Sequence, residues 1–131
     1  MFDLELHHVG MIVSDINKAE KNIIHGELIK QVYDPIQDAN LRLYENYSSS
    51  FIELIQPLSK NSLTWNQLQK NSDHINHFCY AARDKELIDK VSKEYKLIKI
   101  TDFMPAELFP GHDVIFFYSR SKIIIEFIIK K

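Results

Sequence analysis

Two segments of this chain repeat each other, and each repeat carries one histidine and one glutamate in equivalent places. Each half opens with a short apolar run that holds the histidine and closes with an apolar run that holds the glutamate. The histidines are His8 and His77, and the glutamates are Glu53 and Glu126. A duplicated unit of this size cannot bury its apolar face alone, so we expect the two copies to share one core.

Composition excludes several classes of protein. The 131 residues are enough for one domain, the net charge is only −2, and the lysines form no basic stripe of the kind that binds nucleic acid. A single cysteine, Cys79, rules out an intrachain disulfide and fits a reducing compartment. The N-terminus does not resemble a signal peptide, and the longest apolar run, residues 123–129, is too short to span a bilayer. We therefore expect a soluble, cytoplasmic protein that binds neither nucleic acid nor membrane.

The order of apolar patterns predicts one strand, one helix and three strands, twice over. In the first half these elements are a strand at 4–13, a helix that begins after Ser14-Asp15 and stops at Gly26, and strands at 28–33, 41–44 and 51–55. In the second half they are a strand at 74–82, a helix containing residues 87–95, a strand near 97–101, and a hairpin of 113–118 with 122–129. This predicts one domain over residues 1–131. It consists of a first module (1–57), a linker (58–73) whose short helix includes Leu63 and Trp65, and a second module (74–131).

Alternation along a strand decides which side chains face the helices. The residues predicted to pack under the helices are Val9, Met11 and Val13 in the first half and Phe78 and Tyr80 in the second. His8 and His77 then face away from the helices. Cys79 lies on the same face as His77, and it either lines a cavity or is a small buried hydrophobic residue. A lone strand histidine is more often structural or solvated than a ligand.

The glutamates lie in strongly apolar strands. Glu126 is flanked by isoleucines and phenylalanine, and Glu53 repeats the pattern in the first half. An ionised carboxylate buried without a partner costs several kcal/mol, so each must be paired, neutralised or at an edge strand that reaches water. One cause explains both histidines and both glutamates: a divalent cation, which imidazole and carboxylate both bind. Such a site is octahedral with positions left for substrate oxygens, and Ni²⁺, Co²⁺, Mn²⁺, Fe²⁺ and Zn²⁺ are all admissible.

These residues resemble the vicinal oxygen chelate superfamily, also called the glyoxalase/bleomycin-resistance/dioxygenase superfamily, over nearly the whole chain. The matching segments are His8-Val9-Gly10 with Val13 and Asp15, Ile52 to Leu58, Asn76 to Tyr80, and Ile124 to Phe127. The stretch Ile52 to Leu58 and the helix near Trp65 are most similar to methylmalonyl-CoA epimerases, and the His, Glu, His, Glu set is also that of glyoxalase I. The resemblance implies an α+β fold of two βαβββ modules. Their eight strands form a cupped, barrel-like mixed sheet around the metal, with the helices outside.

One departure concerns the second base of the epimerase branch. A Pro-Glu-Gln-Gly turn usually supplies a second catalytic glutamate there, whereas this chain has Pro35-Ile36-Gln37-Asp38-Ala39. Alignment on the proline puts Ile36 at the glutamate position, and alignment on the alternation of Leu41 and Leu43 puts Asp38 there.

The resemblance implies a metal-dependent isomerase or epimerase that removes a proton next to the carbonyl of a small acyl thioester such as an acyl-CoA. We expect Glu126 first, and then Glu53, to exchange that proton, with Asp38 as a weaker candidate for a second base. One alternative is the lactoylglutathione lyase reaction of glyoxalase I on a hemithioacetal. Another is a non-catalytic module that binds a small molecule, and extradiol dioxygenases rank behind both. A homodimer, with the site inside one chain or at the dimer interface, is left open.

Overall fold

The computed structural model describes residues 1–62 and 64–131, so the expectation for Leu63 lies outside the described part. Within these residues the chain forms nine strands and three helices. In order they are β1 Glu5–Ile12, α1 Ile16–Asn22, β2 Leu28–Asp34, β3 Ala39–Glu45, β4 Phe51–Pro57, α2 Trp65–Asn71, β5 His74–Ala81, α3 Lys85–Glu94, β6 Ile98–Lys99, β7 Met104–Pro105, β8 His112–Tyr118 and β9 Ile124–Lys130. The strand pairs are both parallel and antiparallel, which confirms the mixed α+β class. The two-residue strand β7 adds a ninth strand to the eight that were expected. No described helix has the length and apolar character needed to cross a membrane.

The chain divides into two compact units. We call residues 8–76 the first unit and residues 77–131 together with 1–7 the second unit.

In the first unit the strand order is β2-β3-β4-β1, with β1 parallel to β4 and the other pairs antiparallel. Helix α1 begins where the sequence predicted, because the Asp15 carboxylate accepts hydrogen bonds from the backbone N–H groups of Asn17 and Lys18. The helix packs on one face of the sheet through a buried cluster of Val13, Ile16, Ala19, Tyr44 and Leu54, with Met11, Ile23 and Ile52 against it. The prediction from alternation is therefore confirmed for Met11 and Val13.

The prediction that Gly26 stops α1 is wrong. The helix ends at Asn22, and Ile23 is already extended, with φ −114° and ψ 138°. Gly26 serves a different purpose: its N–H donates to the carbonyl oxygen of Glu45 at 2.6 Å, and a Cβ there would lie 2.9 Å from that oxygen. The glycine is thus explained by the close approach of β3 and not by the helix end.

The second unit repeats this plan with the order β5-β9-β8-β6, and β7 pairs with β8. Strands β5 and β9 are parallel, and the Asp84 carboxylate caps α3 by accepting from the Leu87 N–H. The core under α3 consists of Ala82, Leu87, Ile88, Val91, Ile115, Phe117, Phe127 and Ile129. Tyr80 packs against this cluster, as alternation predicted, and so do Phe2 and Leu4. This packing explains why the first residues of the chain belong to the second unit.

Candidate functional site

In the first unit, His8 and Glu53 lie on neighbouring parallel strands and on the same face. Glu53 is the register partner of Gly10, and His8 precedes Gly10 by two residues, so all three point to one side of the sheet. This is the side away from α1. The imidazole Nε2 of His8 lies 3.7 Å from Oε1 of Glu53, and the two side chains are 2% and 12% exposed.

The second unit holds the equivalent pair in the same register. Glu126 is the partner of Cys79, which follows His77 by two residues. Nε2 of His77 lies 3.0 Å from Oε1 of Glu126, and these side chains are 4% and 8% exposed. The histidine of each unit is therefore a partner for a carboxylate that lies in an apolar strand.

Apolar side chains line this face of the second unit. Cys79, Val114 and Ile128 form a buried cluster, against which Ala81, Ala106, Phe109 and Phe116 pack. The rings of His77 and Phe116 form a T-shaped pair with their centroids 5.9 Å apart, and Phe116 is the cross-strand partner of Glu126. Cys79 is fully buried in this cluster, in agreement with its interpretation as a small hydrophobe. The His77–Glu126 pair is thus shielded from bulk water.

The donor atoms of each unit fit two ligands of one divalent cation. Two ligand atoms that lie about 2.1 Å from an ion, at right angles to each other, are about 3 Å apart. The His77–Glu126 separation of 3.0 Å meets this condition, and the His8–Glu53 separation of 3.7 Å is somewhat wider. Neutral imidazole and carboxylate are also the right chemical types for such an ion.

Asp38 lies elsewhere in the first unit. Its neighbour Ala39 pairs with Pro57, which is four residues beyond Glu53 and so about 13 Å further along β4. Hydrogen bonds from the Ser59 hydroxyl and, at 2.9 Å, from the Tyr33 hydroxyl hold the pKa of Asp38 below its usual range. The structure therefore does not bring Asp38 to Glu53. It makes Asp38 a turn residue that ties the start of β3 to the segment after β4.

An ion-pair network occupies the opposite, helix-packed face of the first unit. Glu20 of α1 accepts from the Tyr44 hydroxyl at 2.5 Å and from Arg42 at 2.9 Å. The Tyr44 hydroxyl, followed by Arg42, lowers the pKa of Glu20, while burial and the hydrogen bond to Glu20 raise the pKa of Tyr44. No sequence pattern predicted this network, because its members are far apart along the chain. It fastens α1 to β3 and identifies the helix side of the sheet.

Comparisons with known proteins agree with this architecture. A model of the Glyoxalase/Bleomycin resistance protein/Dioxygenase superfamily matches residues 7–118. A hypothetical protein from Bacillus halodurans C-125 is 25% identical with a TM-score of 0.83, over 98% of this chain and 96% of that one. Methylmalonyl-CoA epimerase from Mycobacterium tuberculosis is 17% identical with a TM-score of 0.80, over 96% and 87%. A Streptomyces coelicolor methylmalonyl-CoA epimerase variant in complex with 2-nitronate-propionyl-CoA is 15% identical with a TM-score of 0.77, over 95% and 96%.

The two epimerases show the fold alone, because their identity to this chain is low. No curated protein matches the chain significantly. The family model, by contrast, spans most of the chain, including the histidines and one glutamate of the two pairs. The chain therefore belongs to the Glyoxalase/Bleomycin resistance protein/Dioxygenase superfamily.

Proposed function

We propose that the protein is a metal-dependent isomerase or epimerase that removes the proton next to the carbonyl of a small acyl thioester. The observation that supports this proposal is the repeated pair, in which a buried imidazole Nε2 lies beside a carboxylate Oε1 at the same register position in both units; Glu126 is buried and Glu53 is half-buried. Structural pairing alone would not require the same two residue types at the same two register positions twice.

The proposed ligands of one divalent cation are His8, Glu53, His77 and Glu126. Their donor chemistry admits Ni²⁺, Co²⁺, Mn²⁺, Fe²⁺ and Zn²⁺. A bound cation of this kind would act as a Lewis acid and stabilise the negative charge that develops on a substrate carbonyl oxygen, which is worth several kcal/mol.

Glu126 is the proposed base. Its carboxylate takes the α-proton of the substrate and returns it to the other face of the same carbon, or to the neighbouring carbon. His77 holds the carboxylate at 3.0 Å, and the wall of Phe116, Val114 and Ile128 excludes water that would compete for the proton. Glu53 is the second candidate for this base, because its side chain is more exposed than that of Glu126.

Two further functions share parts of this site. Isomerisation of a hemithioacetal uses the same proton abstraction, and the two-histidine, two-glutamate set supports it as well as it supports a thioester epimerase. A non-catalytic binding module needs neither metal nor base, and the two His–Glu pairs argue against it.

The decisive experiment is solvent deuterium exchange into a substrate α-position, measured by mass spectrometry on metal-loaded and metal-free protein. We expect exchange only in the metal-loaded protein, with an acyl-CoA and a thiol hemithioacetal assayed side by side to separate the two enzymatic reactions. Glu126→Gln keeps an oxygen ligand but removes the base, so exchange should fall by about 100-fold or more. Glu94→Gln, on the exposed side of α3, is the matched control. Absence of exchange with either substrate class would leave only the binding module.

A further inference from the structure

A polar groove lies beside α1 on the helix side of the first unit. Its volume is about 340 Å³, and most of its lining comes from β2 and β3. The lining residues that matter below are Ile16, Gln31, Tyr33, Asn40 and Arg42. Small-molecule sites have volumes of about 300–1,000 Å³, so the groove is large enough for a ligand of one or two rings.

Hydrogen bonds to α1 identify the face of the sheet on which the groove lies. Arg42 of β3 donates to Glu20 of α1 at 2.9 Å. Asn40 precedes Arg42 by two residues, so its side chain points to the same side. The partner of Asn40 in β4 is Gln56, whose side chain accepts from the first N–H group of α1 at 2.8 Å. Its partner in β2 is Tyr33. The groove therefore lies on the opposite face of the sheet from the His–Glu pair of this unit.

Tyr33 brings an aromatic ring to the groove. The residue is 52% exposed, and its hydroxyl donates to the Asp38 carboxylate at 2.9 Å, which restricts the orientation of the ring. Flat heterocyclic rings stack on aromatic side chains of this kind. Ile16, which is buried at the start of α1, adds an apolar side chain to the lining. Both features suit a flat, largely apolar ligand.

Asn40 supplies a polar group beside that ring. Among the residues that the structure describes, its half-buried carboxamide makes no side-chain hydrogen bond. Residues directly opposite each other in an antiparallel pair have Cβ atoms about 5 Å apart, so the edge of a ring stacked on Tyr33 is within reach of Asn40. A carboxamide presents a donor next to an acceptor. It therefore complements a ligand edge that also carries a donor next to an acceptor, as adenine does at N6 and N7.

The charges at the groove favour a neutral ligand. Arg42 is the charged residue among the described lining residues, and the Glu20 carboxylate compensates it at 2.9 Å. Its Nε also donates to the Gln31 side chain at 3.2 Å. The Asp38 carboxylate, bound to the Tyr33 hydroxyl, adds negative charge nearby. A phosphate or carboxylate would thus meet no uncompensated cation in this lining.

We propose that the groove binds a neutral aromatic ring whose edge carries an N–H donor beside an acceptor, the chemistry that adenine and nicotinamide share. The ring stacks on Tyr33, while the Asn40 carboxamide accepts from the ligand's donor and donates to its acceptor. This site does not depend on the proposed isomerase function, because the His–Glu pair faces the other side of the sheet.

Calorimetric titration of the full chain with adenosine and with nicotinamide, as separate arms, tests the proposal. Binding of adenosine alone would identify a purine site, and binding of nicotinamide alone a carboxamide site; either result supports the shared chemistry. The matched analogues are inosine and nicotinate, which lack the N–H donor at the recognised edge. We expect the analogue of the bound compound to bind about tenfold more weakly, in line with the discrimination that a two-hydrogen-bond contact gives.

Four variants test the two contacts. Tyr33→Ala removes the stacking surface and should weaken binding about tenfold, whereas Tyr47→Ala, at an exposed tyrosine between β3 and β4, should not. Asn40→Leu keeps the size of the side chain but removes both hydrogen bonds, so the preference for the ligand over its analogue should disappear. Asn66→Leu, on the exposed side of α2, should retain that preference. Circular dichroism checks that each variant is folded, and Tyr33→Phe, which keeps the ring, should bind nearly as well as wild type.

Three results would overturn the proposal. The first is no binding of either compound at millimolar concentration. The second is an equal affinity of the wild type for the ligand and its analogue, or of Tyr33→Ala and Asn40→Leu and their controls for the ligand. The third is a loss of binding in His8→Ala, which would place the ligand at the His–Glu pair. A failure of the deuterium-exchange experiment, by contrast, would leave this binding unchanged.

Discussion

Each of the two glutamates in the apolar strands β4 and β9 lies beside a histidine imidazole. Glu126 is surrounded by isoleucine and phenylalanine, and its carboxylate has Nε2 of His77 at 3.0 Å. Glu53 has His8 at 3.7 Å and is somewhat more exposed. Glu126 therefore depends more on His77 than Glu53 depends on His8, because an uncompensated charge is most destabilising where water is excluded.

This difference leads to a stability test on metal-free protein. His77→Ala removes an imidazole that lies 3.0 Å from the buried Glu126 carboxylate, so the free energy of unfolding should fall by about 3 kcal/mol. His8→Ala should lower the free energy of unfolding by a smaller amount, because Glu53 is more exposed than Glu126. His74→Ala serves as the control, because among the described residues the one hydrogen bond of the His74 side chain is to the Ser72 carbonyl; its free energy of unfolding should stay within about 0.5 kcal/mol of wild type. Urea denaturation measures all three, and a His77→Ala value in the range of the control would contradict the pairing account.

Asp38 allows a test by pH. Its pKa in the folded protein is lowered below the ordinary value of 3.8, first by the Ser59 hydroxyl and then by that of Tyr33. A lowered folded pKa adds stability that is fully present above the unfolded value and is lost as the pH falls through the folded one. Asparagine tolerates the positive φ of 48° at this position. The urea midpoint of Asp38→Asn should thus lie below that of wild type above about pH 5, and the gap should close below pH 3.8.

The same variant tests Asp38 as a second base. Because the register places it well away from Glu53, deuterium exchange by Asp38→Asn should remain close to that of wild type, whereas Glu126→Gln loses it. A large loss of exchange in Asp38→Asn, with no change in its fold, would restore Asp38 as a catalytic residue. Asp3→Asn, an exposed N-terminal carboxylate, is the matched control for both measurements.

At the scale of the elements, the shared feature is a parallel strand pair with a fixed offset between histidine and glutamate. β1 pairs with β4 and β5 pairs with β9, and in each pair the glutamate stands opposite the second residue after the histidine. Since partners in register point to the same face, this offset alone brings the imidazole and the carboxylate together. Helices α1 and α3 pack on the other face of each sheet.

The junction between α1 and β2 offers a test of packing. A Cβ on Gly26 would lie 2.9 Å from the Glu45 carbonyl oxygen, which also accepts the Gly26 N–H. Gly26→Ala should therefore lower the free energy of unfolding by about 1 kcal/mol or more. Gly111→Asn is the comparison, because its φ of 80° suits asparagine and no atom lies within 4 Å of an added Cβ. Equal free energies of unfolding for the two variants in urea would show that the backbone relieves the close contact at Gly26 with little loss of stability.

Alternation along strands was enough to predict the faces of His8 and His77 and the order of the elements apart from the short strand β7. It could not predict the one-residue register shift between Leu28 and Lys30 in the pairing of β2 with β3, because register depends on the pairing of two strands and not on the pattern within one. Nor could it locate the end of α1, where the glycine signal at Gly26 reflects a contact with β3. Asp38 was a candidate because of an alignment with a family motif, and only the register showed its separation from Glu53.

At the scale of the whole molecule, the duplicated sequence is reproduced as two units with the same strand plan and the same His–Glu pair. The central claim is that the two pairs hold a single divalent cation. A cation bound only by the native state also stabilises it, so removal of metal with a chelator should lower the melting temperature.

Metal content per chain tests this claim most directly, measured by elemental analysis of the wild type and of His8→Ala, His77→Ala and the control His74→Ala. We expect one divalent ion per chain in the wild type and in the control. Each of the other two variants should bind it at least about tenfold more weakly, although each alters only one unit. Two ions per chain, or a variant that loses metal from its own unit while the other unit keeps a full ion, would contradict the single shared site.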